Sequence, residues 1–388
     1  ENSYPTIAGG RRVDEMEKCG HYRHWREDLQ LTAAMDIRHL RWGPALYRTL
    51  QAPGRYDLAW TDHVVGAMGQ LDIEPIFDLC HFGLPDWLGN FQNREFPEHF
   101  AAYAGACAAR YPHIRHWTPV NEILITALFS AKYGWWNERM TTERSFTRAI
   151  LNLCRANVLA MRAIQAEIPG ATFVQSESLE VTHASDPSLL EAADFENERR
   201  FLPLDLSYNR PLSDRMLDHL DRHGMAPGEY DFFQDASDNF DCILGTDYYV
   251  TNEHLLHMDG STSPSGEYFG FYLLAKEYYE RYGLPLMHTE TNLKEEEGSV
   301  HWMRKQWNAL MRLRRDGIPI QGFTWFSLTD QIDWDTALRD DAGRVNSVGL
   351  FDLDRNIRPA GREYQDIIQR WSGVLADDSV VVAPHLAA

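Results

Sequence analysis

The sequence has few cysteines and no cysteine motif. Its five cysteines, Cys19, Cys80, Cys107, Cys154 and Cys242, are odd in number, widely spaced and free of any C-x-x-C pair. This spacing argues against a disulfide-stapled scaffold and a thiolate metal site. It indicates reduced thiols, mostly buried as small core residues, in a cytoplasmic protein.

Long apolar runs and an excess of basic residues are also missing. No stretch approaches the roughly 20 apolar residues that span a bilayer, and no signal-like segment opens the chain. The 57 acidic and 37 basic residues give a formal net charge of −20. Such a charge disfavours polyanionic partners. We therefore expect neither nucleic acid nor a membrane as a partner, and the oligomeric state stays open.

Several ligand-binding motifs are absent. The 16 histidines include no H-E-x-x-H and no H-x-H at a strand end, which disfavours the metal-dependent barrel hydrolases. No G-x-G-x-x-G or G-x-x-x-x-G-K-[ST] motif occurs, which disfavours dinucleotide and P-loop chemistry. We expect no metal and no cofactor.

What the sequence does contain is a regular alternation of strand-like and helix-like segments. The strand-like runs are 37–42, 74–79, 116–121, 172–176, 241–249, 285–289 and 322–327, and the helix-like segments are 25–35, 57–71, 97–110, 143–167, 213–222, 267–282 and 299–315. This alternation predicts parallel strands with right-handed crossovers. With 388 residues, 44% of them hydrophobic, we predict one α/β domain over 1–388, a (β/α)8 TIM barrel.

Three parts of this barrel are less regular. The seven strand-like runs are one fewer than the eight strands of the barrel. The missing strand should be the first, and we expect it in or before residues 1–10. The segment 183–240 is too polar and irregular to be one element, so we predict an elaborated loop over the barrel mouth. Residues 375–388 are predicted to form a C-terminal tail.

Two short β-prone runs, W-T-P-V-N-E at 117–122 and L-M-H-T-E-T-N at 286–292, contain Glu122 and Glu290 at the predicted strand ends. In a barrel the carboxyl ends of all strands meet at one face, so both side chains can reach one small volume. Cleavage of a glycosidic bond requires such a pair, because one carboxyl protonates the leaving oxygen and the other attacks the sugar or activates water. Either glutamate alone is better explained as a solvated strand-end residue, whereas the pair favours a site.

Polar side chains also end the other predicted strands. Groups of this kind hold hydroxyls and tune carboxylates, which favours a carbohydrate site. They are Arg41, His81, Asn121, Tyr248, Tyr249, Asp330 and Asp333, with Glu177 near the end of the fifth strand as an additional candidate.

Seven segments of the chain resemble, in the same order, the motifs of glycoside hydrolase family 1, the β-glucosidase and β-galactosidase family. They are Y-R-H-W-R-E-D at 22–28, L-R-W at 40–42, I-E-P-I-F-D-L-C-H-F-G-L-P at 73–85, W-T-P-V-N-E at 117–122, G-T-D-Y-Y at 245–249, H-T-E-T-N at 288–292 and S-L-T-D-Q-I-D-W at 327–334. The resemblance covers most of the chain and implies a retaining β-glycosidase on a (β/α)8 barrel.

The resemblance also implies a role for each matching residue. Glu122 is implied as the general acid/base and Glu290 as the nucleophile. Arg41, Tyr249 and Asn121 would tune these two carboxyl groups. Contacts with sugar hydroxyls are implied for three residues: Asn121 with the 2-hydroxyl, His81 with a neighbouring hydroxyl and Asp333 with an outer hydroxyl. Tyr248 is implied as a further sugar contact. Trp325 or Trp334 would form an apolar platform under the sugar ring.

The chain departs from the family motifs at several positions. Ile123 stands in place of the proline of N-E-P, Asp247 in place of the asparagine before the tyrosine pair, and Asp333 in place of the glutamate of F-E-W. We therefore expect a glycone other than plain glucose or galactose. Two alternatives stay open: a transglycosidase on the same scaffold, and a catalytically silent sugar-binding barrel. In each case the partner is a small-molecule or oligosaccharide β-glycoside.

Overall fold

Parallel strands and helices alternate in the computed structural model, which describes residues 2–234 and 239–371. The strands are β1 Thr6–Ile7, β2 Arg11–Arg12, β3 His39–Trp42, β4 Leu50–Ala52, β5 Arg55–Tyr56, β6 Glu74–Cys80, β7 His116–Val120, β8 Thr172–Ser178, β9 Val181–Ala184, β10 Asp241–Asp247, β11 Glu253–Leu256, β12 Thr262–Pro264, β13 Leu286–Glu290, β14 Ile320–Phe323, β15 Gln331–Ile332 and β16 Val345–Asn346. The α-helices are α1 Glu15–Lys18, α2 His21–Ala34, α3 Leu46–Thr49, α4 Ala59–Gln70, α5 Phe96–Arg110, α6 Ile123–Ala127, α7 Glu143–Glu167, α8 Leu190–Arg199, α9 Leu202–Ser207, α10 Asp214–Arg222, α11 Gly270–Tyr282, α12 Ser299–Arg315 and α13 Pro359–Trp371.

Seven of these strands form one parallel sheet in the order β14-β13-β10-β8-β7-β6-β3. This is the chain order of the seven predicted strands, and each lies within a few residues of its predicted bounds. Helices follow the strands, and α7 and α12 have the predicted ends because clear helix signals flank them, such as the capping box of Thr142 and Ser145 before α7. The predicted (β/α)8 architecture is confirmed.

Residues 2–10 add no strand to this sheet. Thr6–Ile7 pairs antiparallel with Arg11–Arg12 instead, so the expected first barrel strand is not found within the described part of residues 1–10. A cavity of about 620 Å³ lies between β3 and β14 and extends to Glu290. It is therefore connected to the carboxyl end of the barrel.

The barrel interior is layered. Ile76, Val174, Met287 and the half-buried Ile243 pack together as an apolar layer. Because side chains alternate along a strand, the residues two positions further on also face inward, and they form a polar layer towards the carboxyl ends. Gly245 belongs to this layer, where an added Cβ would lie 2.7 Å from Thr289 Oγ1. Its lack of a side chain lets polar groups approach one another closely.

The segment predicted as an elaborated loop is mostly helical. Its described part contains α8, α9 and α10, and Leu202, Leu204 and Leu206 of α9 are buried. The polar composition hid these short helices, since each buries only a few apolar residues. β9, at the start of the segment, pairs with β11, and β11 pairs with β12. The predicted C-terminal tail, 375–388, lies outside the described residues.

The five cysteines are all buried, and none forms a disulfide within the described part of the chain. Among the same residues, no helix has both the length and the apolar character needed to cross a bilayer.

Candidate active site

The structure brings the two predicted glutamates together at the carboxyl end of the barrel. Glu122 directly follows β7 and Glu290 ends β13, and both are buried, with relative exposures of 6% and 4%. Asp247, at the end of β10, is buried beside them. Each of these three acids has a carboxylate oxygen within 4.8 Å of those of the other two. Three carboxyl groups therefore share one small, poorly solvated volume.

Glu290 is surrounded by hydrogen-bond donors. The Arg41 guanidinium donates to Oε1, and the Tyr249 hydroxyl donates to Oε2 over 2.8 Å. Burial alone lowers the pKa of Arg41, but Glu290 and Asp78 raise it above its ordinary value, so the guanidinium stays charged. Burial and the charge of Glu290 raise the pKa of Tyr249, which keeps the phenol protonated and able to donate. These donors stabilise Glu290 as a carboxylate.

Glu122 has the opposite environment. Burial raises its pKa well above the usual range, and the charges of Glu290 and Asp247 raise it further. Desolvation and neighbouring negative charge both disfavour the ionised form of an acid. Glu122 is thereby suited to hold a proton near neutral pH.

A chain of hydrogen bonds connects Glu290 to the other predicted site residues. Arg41 donates to the Asn121 carbonyl oxygen as well as to Glu290. The Asn121 amide donates to His81 Nε2 over 3.2 Å, and His81 Nδ1 donates to Asp78 Oδ2 over 2.7 Å. Arg41 Nη2 lies 3.3 Å from the same Asp78 oxygen. Arg41, Asn121 and His81 are thus fixed relative to Glu290.

Asp247 is held by two hydroxyl groups from neighbouring strands. Ser176 Oγ donates to Oδ2 and Thr289 Oγ1 donates to Oδ1, each over 2.6 Å. Burial and the charge of Glu290 raise the pKa of Asp247 to about 7, against the opposing effects of Arg41 and the two hydroxyls. This third carboxyl group occurs where the family motif has an uncharged asparagine.

Tyr248 does not face this site, so its predicted sugar contact is corrected. Its hydroxyl donates to Glu253 Oε1 over 3.0 Å, and its ring stacks on Trp302 in the hydrophobic core outside the barrel. The reason is the alternation of side chains along the strand end, which points Tyr249 inward and Tyr248 outward.

The carboxylate of Asp333 is engaged by protein donors on both oxygens. Oδ2 accepts from Lys18 Nζ over 2.6 Å and from the backbone N–H groups of Ala342 and Gly343, and Oδ1 accepts from that of Arg344. Asp333 is fully buried. This arrangement makes it an organiser of the 333–344 loop and does not support the predicted contact with an outer hydroxyl.

Of the two tryptophans predicted as an apolar platform, Trp334 lies beside the site together with Phe326, whereas Trp325 is buried. Trp325 is 4% exposed, and its indole N–H donates to the Val348 carbonyl. The ring of Phe326 instead lies edge-on to Tyr249, at 6.5 Å between centroids, and to Trp334, at 6.3 Å. Trp334 is half-buried, and its indole nitrogen has no protein partner among the described residues. Phe326 and Trp334 are therefore the aromatic rings beside the site.

Three buried acids, Asp78, Asp247 and Glu177, lie at or next to the site without a role predicted from the sequence. Asp78 is paired with His81, three residues further along, and this D-x-x-H spacing at a strand end was a usable signal. Asp247 follows the inward alternation of β10, whereas Glu177 alternates with the inward-facing Val174 and Ser176 of β8 and points outward, towards α6. Glu177 is buried beside the turn that begins at Glu122.

Within residues 2–234 and 239–371, two groups of side chains have the spacing to hold a metal ion. One is Glu122, Asp247 and Glu290, and the other is His39, Glu74 and His116 at the amino ends of their strands. In the first group, Arg41 supplies a positive charge next to Glu290, and both oxygens of Asp247 accept hydroxyl hydrogens. In this group, the carboxylates of Glu290 and Asp247 therefore already have protein hydrogen-bond donors.

Known proteins resemble this chain over most of its length. The sequence profile of Glycosyl hydrolase family 1 matches residues 7–227. Beta-glucosidase A of Thermotoga maritima is 21% identical over 90% of this chain and 86% of its own. Aryl-phospho-beta-D-glucosidase BglA of Bacillus subtilis is 22% identical over 85% of this chain and 81% of its own. The structure of the T. maritima beta-glucosidase in complex with castanospermine has a TM-score of 0.78 at 18% identity, covering 90% of this chain and 87% of that one. Because the family profile matches more than half of the chain, this protein belongs to glycosyl hydrolase family 1 and is a glycoside hydrolase.

Proposed function

We propose that the protein is a retaining β-glycosidase in which Glu122 is the general acid/base and Glu290 the nucleophile. The observation that carries this assignment is the contrast between the two buried carboxyl groups. Glu290 is bonded to Arg41 and Tyr249, whereas Glu122 lies among negative charges that raise its pKa. A retaining glycosidase needs one ionised and one protonated carboxyl group a short distance apart.

The proposed reaction has two displacements at the anomeric carbon. Glu290 attacks that carbon while Glu122 transfers its proton to the leaving oxygen, so the aglycone departs as an alcohol and an ester joins the sugar to Glu290. Esterification removes the charge of Glu290, which lowers the pKa of Glu122. Glu122 then takes a proton from water, whose oxygen displaces Glu290 from the sugar.

Asn121 and His81 are proposed to bind hydroxyls next to the anomeric carbon, because both are held beside Glu290 by the hydrogen-bond chain through Arg41. Asp333 is bonded to Lys18 and to the backbone of its own loop. The family's usual carboxylate contact to the outer hydroxyls is therefore not available in this arrangement. We propose a glycone that differs from glucose and galactose at that outer position.

The experiment that tests this function is a panel of aryl β-glycosides with different glycones, in which the first-formed sugar anomer is followed by NMR. We expect hydrolysis with the β anomer formed first and with glucosides and galactosides among the slower substrates. An initial α product would overturn the retaining mechanism, and rapid, selective hydrolysis of unmodified glucosides would overturn the proposed glycone. Addition of alcohol acceptors to the same assay shows whether the intermediate is transferred to water or to the acceptor.

The proposed location is the cytoplasm. It is supported by the five buried thiols, none of which is oxidised to a disulfide within the described residues.

A further inference from the structure

Glu177 is a buried carboxyl group that the proposed mechanism does not use. It lies near the end of β8, is 2% exposed, and points at the first turn of α6. Its Oε1 accepts the backbone N–H of Ile123 over 3.0 Å, and its Oε2 accepts that of Leu124 over 3.3 Å. Gln175 Nε2 donates to Oε1 over 3.2 Å. Glu177 therefore binds the two peptide groups that directly follow Glu122.

These two peptide groups need such an acceptor. The first N–H groups of a helix have no partner within the helix, and a buried N–H without an acceptor is costly. The family motif N-E-P has proline after the glutamate, and proline has no N–H to satisfy. Here Ile123 adds an N–H at a fully buried position. The carboxylate of Glu177 matches this departure, since it presents one oxygen to each N–H.

The same turn sets the direction of the Glu122 side chain. Glu122 has φ +38° and ψ +67°, in the left-handed region that non-glycine residues rarely adopt. Its N–H donates to the Ser176 carbonyl over 2.9 Å, and its own carbonyl accepts from the Thr126 N–H. β8 thus holds the backbone before Glu122 through Ser176 and after it through Glu177. Such local strain persists only where the surrounding contacts fix it.

We propose that Glu177 is a positioning residue for Glu122, whose carboxylate fixes the turn at Ile123 and Leu124 and so directs Glu122 at the glycosidic oxygen. This inference rests on the proposed role of Glu122 as the acid/base. A second contribution is electrostatic, because Glu177 is one of the charges that raise the pKa of Glu122, after burial, Glu290 and Asp247. Burial raises the pKa of Glu177 itself, and the N–H groups of Ile123 and Leu124 oppose this effect because they stabilise its carboxylate.

The test is Glu177→Gln, assayed with two aryl glycosides of the best glycone from the panel. The phenyl glycoside needs proton transfer to its leaving group, and the 2,4-dinitrophenyl glycoside does not. A glutamine has one acceptor oxygen and an NH2 group that only donates, so it cannot accept from both peptide groups. We expect kcat/KM to fall for the phenyl glycoside by roughly 10- to 100-fold more than for the dinitrophenyl glycoside, since misplacing a catalytic group by about 1 Å can cost on the order of 100-fold.

The ratio of the two kcat/KM values does not depend on how much of the variant is folded, because both substrates report on the same active molecules. A purely structural role for Glu177 would lower both values equally and leave the ratio unchanged, which would overturn the proposal. Glu180→Gln is the matched control, since Glu180 also raises the pKa of Glu122 but accepts from Ser178 and Asn252 instead of the turn. We expect this control to keep the wild-type ratio within about threefold.

A double variant, Ile123→Pro with Glu177→Gln, tests whether the loss in Glu177→Gln comes from the unsatisfied N–H of Ile123. Proline is well tolerated at the first position of a helix and removes the N–H that glutamine leaves unsatisfied. The glutamine carbonyl can then accept from Leu124 alone. We expect the double variant to recover at least part of the lost ratio, and an additive loss instead would contradict the proposed pairing.

Glu122→Ala separates failure of this inference from failure of the proposed function. If Glu122→Ala does not change the ratio, Glu122 is not the acid and the proposed function fails. If Glu122→Ala changes it by roughly 100-fold or more, as loss of a general acid does, while Glu177→Gln leaves it unchanged, only the role of Glu177 is wrong.

Discussion

Tyr249 donates its phenolic hydrogen to Glu290 over 2.8 Å, whereas the adjacent Tyr248 donates its own to Glu253 outside the barrel. Two neighbouring tyrosines therefore serve different parts of the molecule, one at the proposed nucleophile and one in the hydrophobic core. The pair provides a matched comparison in which the same atom is removed from adjacent positions.

Tyr249→Phe is expected to lower kcat by roughly 10- to 100-fold, because a hydrogen bond to a charged group contributes about 1.5–3 kcal/mol. Tyr248→Phe should leave kcat within about twofold of wild type and lower the free energy of unfolding, measured with urea, by about 1–3 kcal/mol. Equal effects of the two substitutions on kcat would contradict the assignment of Tyr249 alone to the site.

Glu290→Gly removes the proposed nucleophile and leaves the proposed acid, Glu122, in place. An activated β-glycoside should then react only when a small anion such as azide fills the space. Because a single displacement inverts the anomeric carbon, the product from azide should have the α configuration. The product configuration is read by NMR.

Glu122→Ala leaves the proposed nucleophile intact. A substrate with a good leaving group should still form the glycosyl-enzyme, which then accumulates, and azide should release a β-configured product after two displacements. The same anomer from both variants, or wild-type turnover in either, would show that the two roles are wrongly assigned.

Asp247→Asn should move the alkaline limb of the kcat/KM pH profile to lower pH. A negative charge next to an acid raises its pKa, and Asp247 is one of the groups that raise the pKa of Glu122. Removing that charge lets Glu122 lose its proton at a lower pH. Glu138→Gln, the same chemical change at a buried carboxyl bonded to Gln92, is the control and should leave the limb in place. A shift of the alkaline limb to higher pH in Asp247→Asn would contradict the proposed effect of Asp247 on the pKa of Glu122.

Lys18→Met is expected to lower the free energy of unfolding by about 3–5 kcal/mol, the usual effect of removing one partner from a buried ion pair. Lys18 is bonded to Asp333, which is fully buried, and lies 3.0 Å from Asp341. Lys276→Met removes an exposed partner of Glu280 and should cost less than about 0.5 kcal/mol. Equal urea midpoints for both variants would show that the Lys18 pair contributes nothing.

The sequence was sufficient to predict the barrel and the glutamate pair because both depend on local patterns. Strand and helix periodicities are set by neighbouring residues, and a strand end at Glu122 or Glu290 is visible in the run that precedes it. The alternation of side chains along the strand also predicts that Tyr249, and not Tyr248, faces inward, because Gly245, Asp247 and Tyr249 share one face.

Other features depend on residues far apart in the chain. Asp333 could not be recognised as a loop organiser, because its partner Lys18 is 315 positions away and lies in a four-residue helix. The helices of 183–240 were missed because they are short and α8 and α10 bury only one or two apolar residues each. The partnership of Glu177 with Ile123 likewise arises only when β8 and the end of β7 are adjacent.

The hydrogen bonds of Asn121 determine which of its polar atoms remain for a sugar. Its side-chain oxygen Oδ1 accepts from Arg41, and Nδ2 donates one hydrogen to His81. A rotation of the side-chain amide by half a turn would therefore break both hydrogen bonds. Only the second amide hydrogen is left to face a ligand, and the guanidinium of Arg41 is adjacent. At the sugar position next to Asn121, a hydroxyl oxygen can accept this hydrogen, whereas a protonated amine has no lone pair to accept it and would also lie near the charge of Arg41.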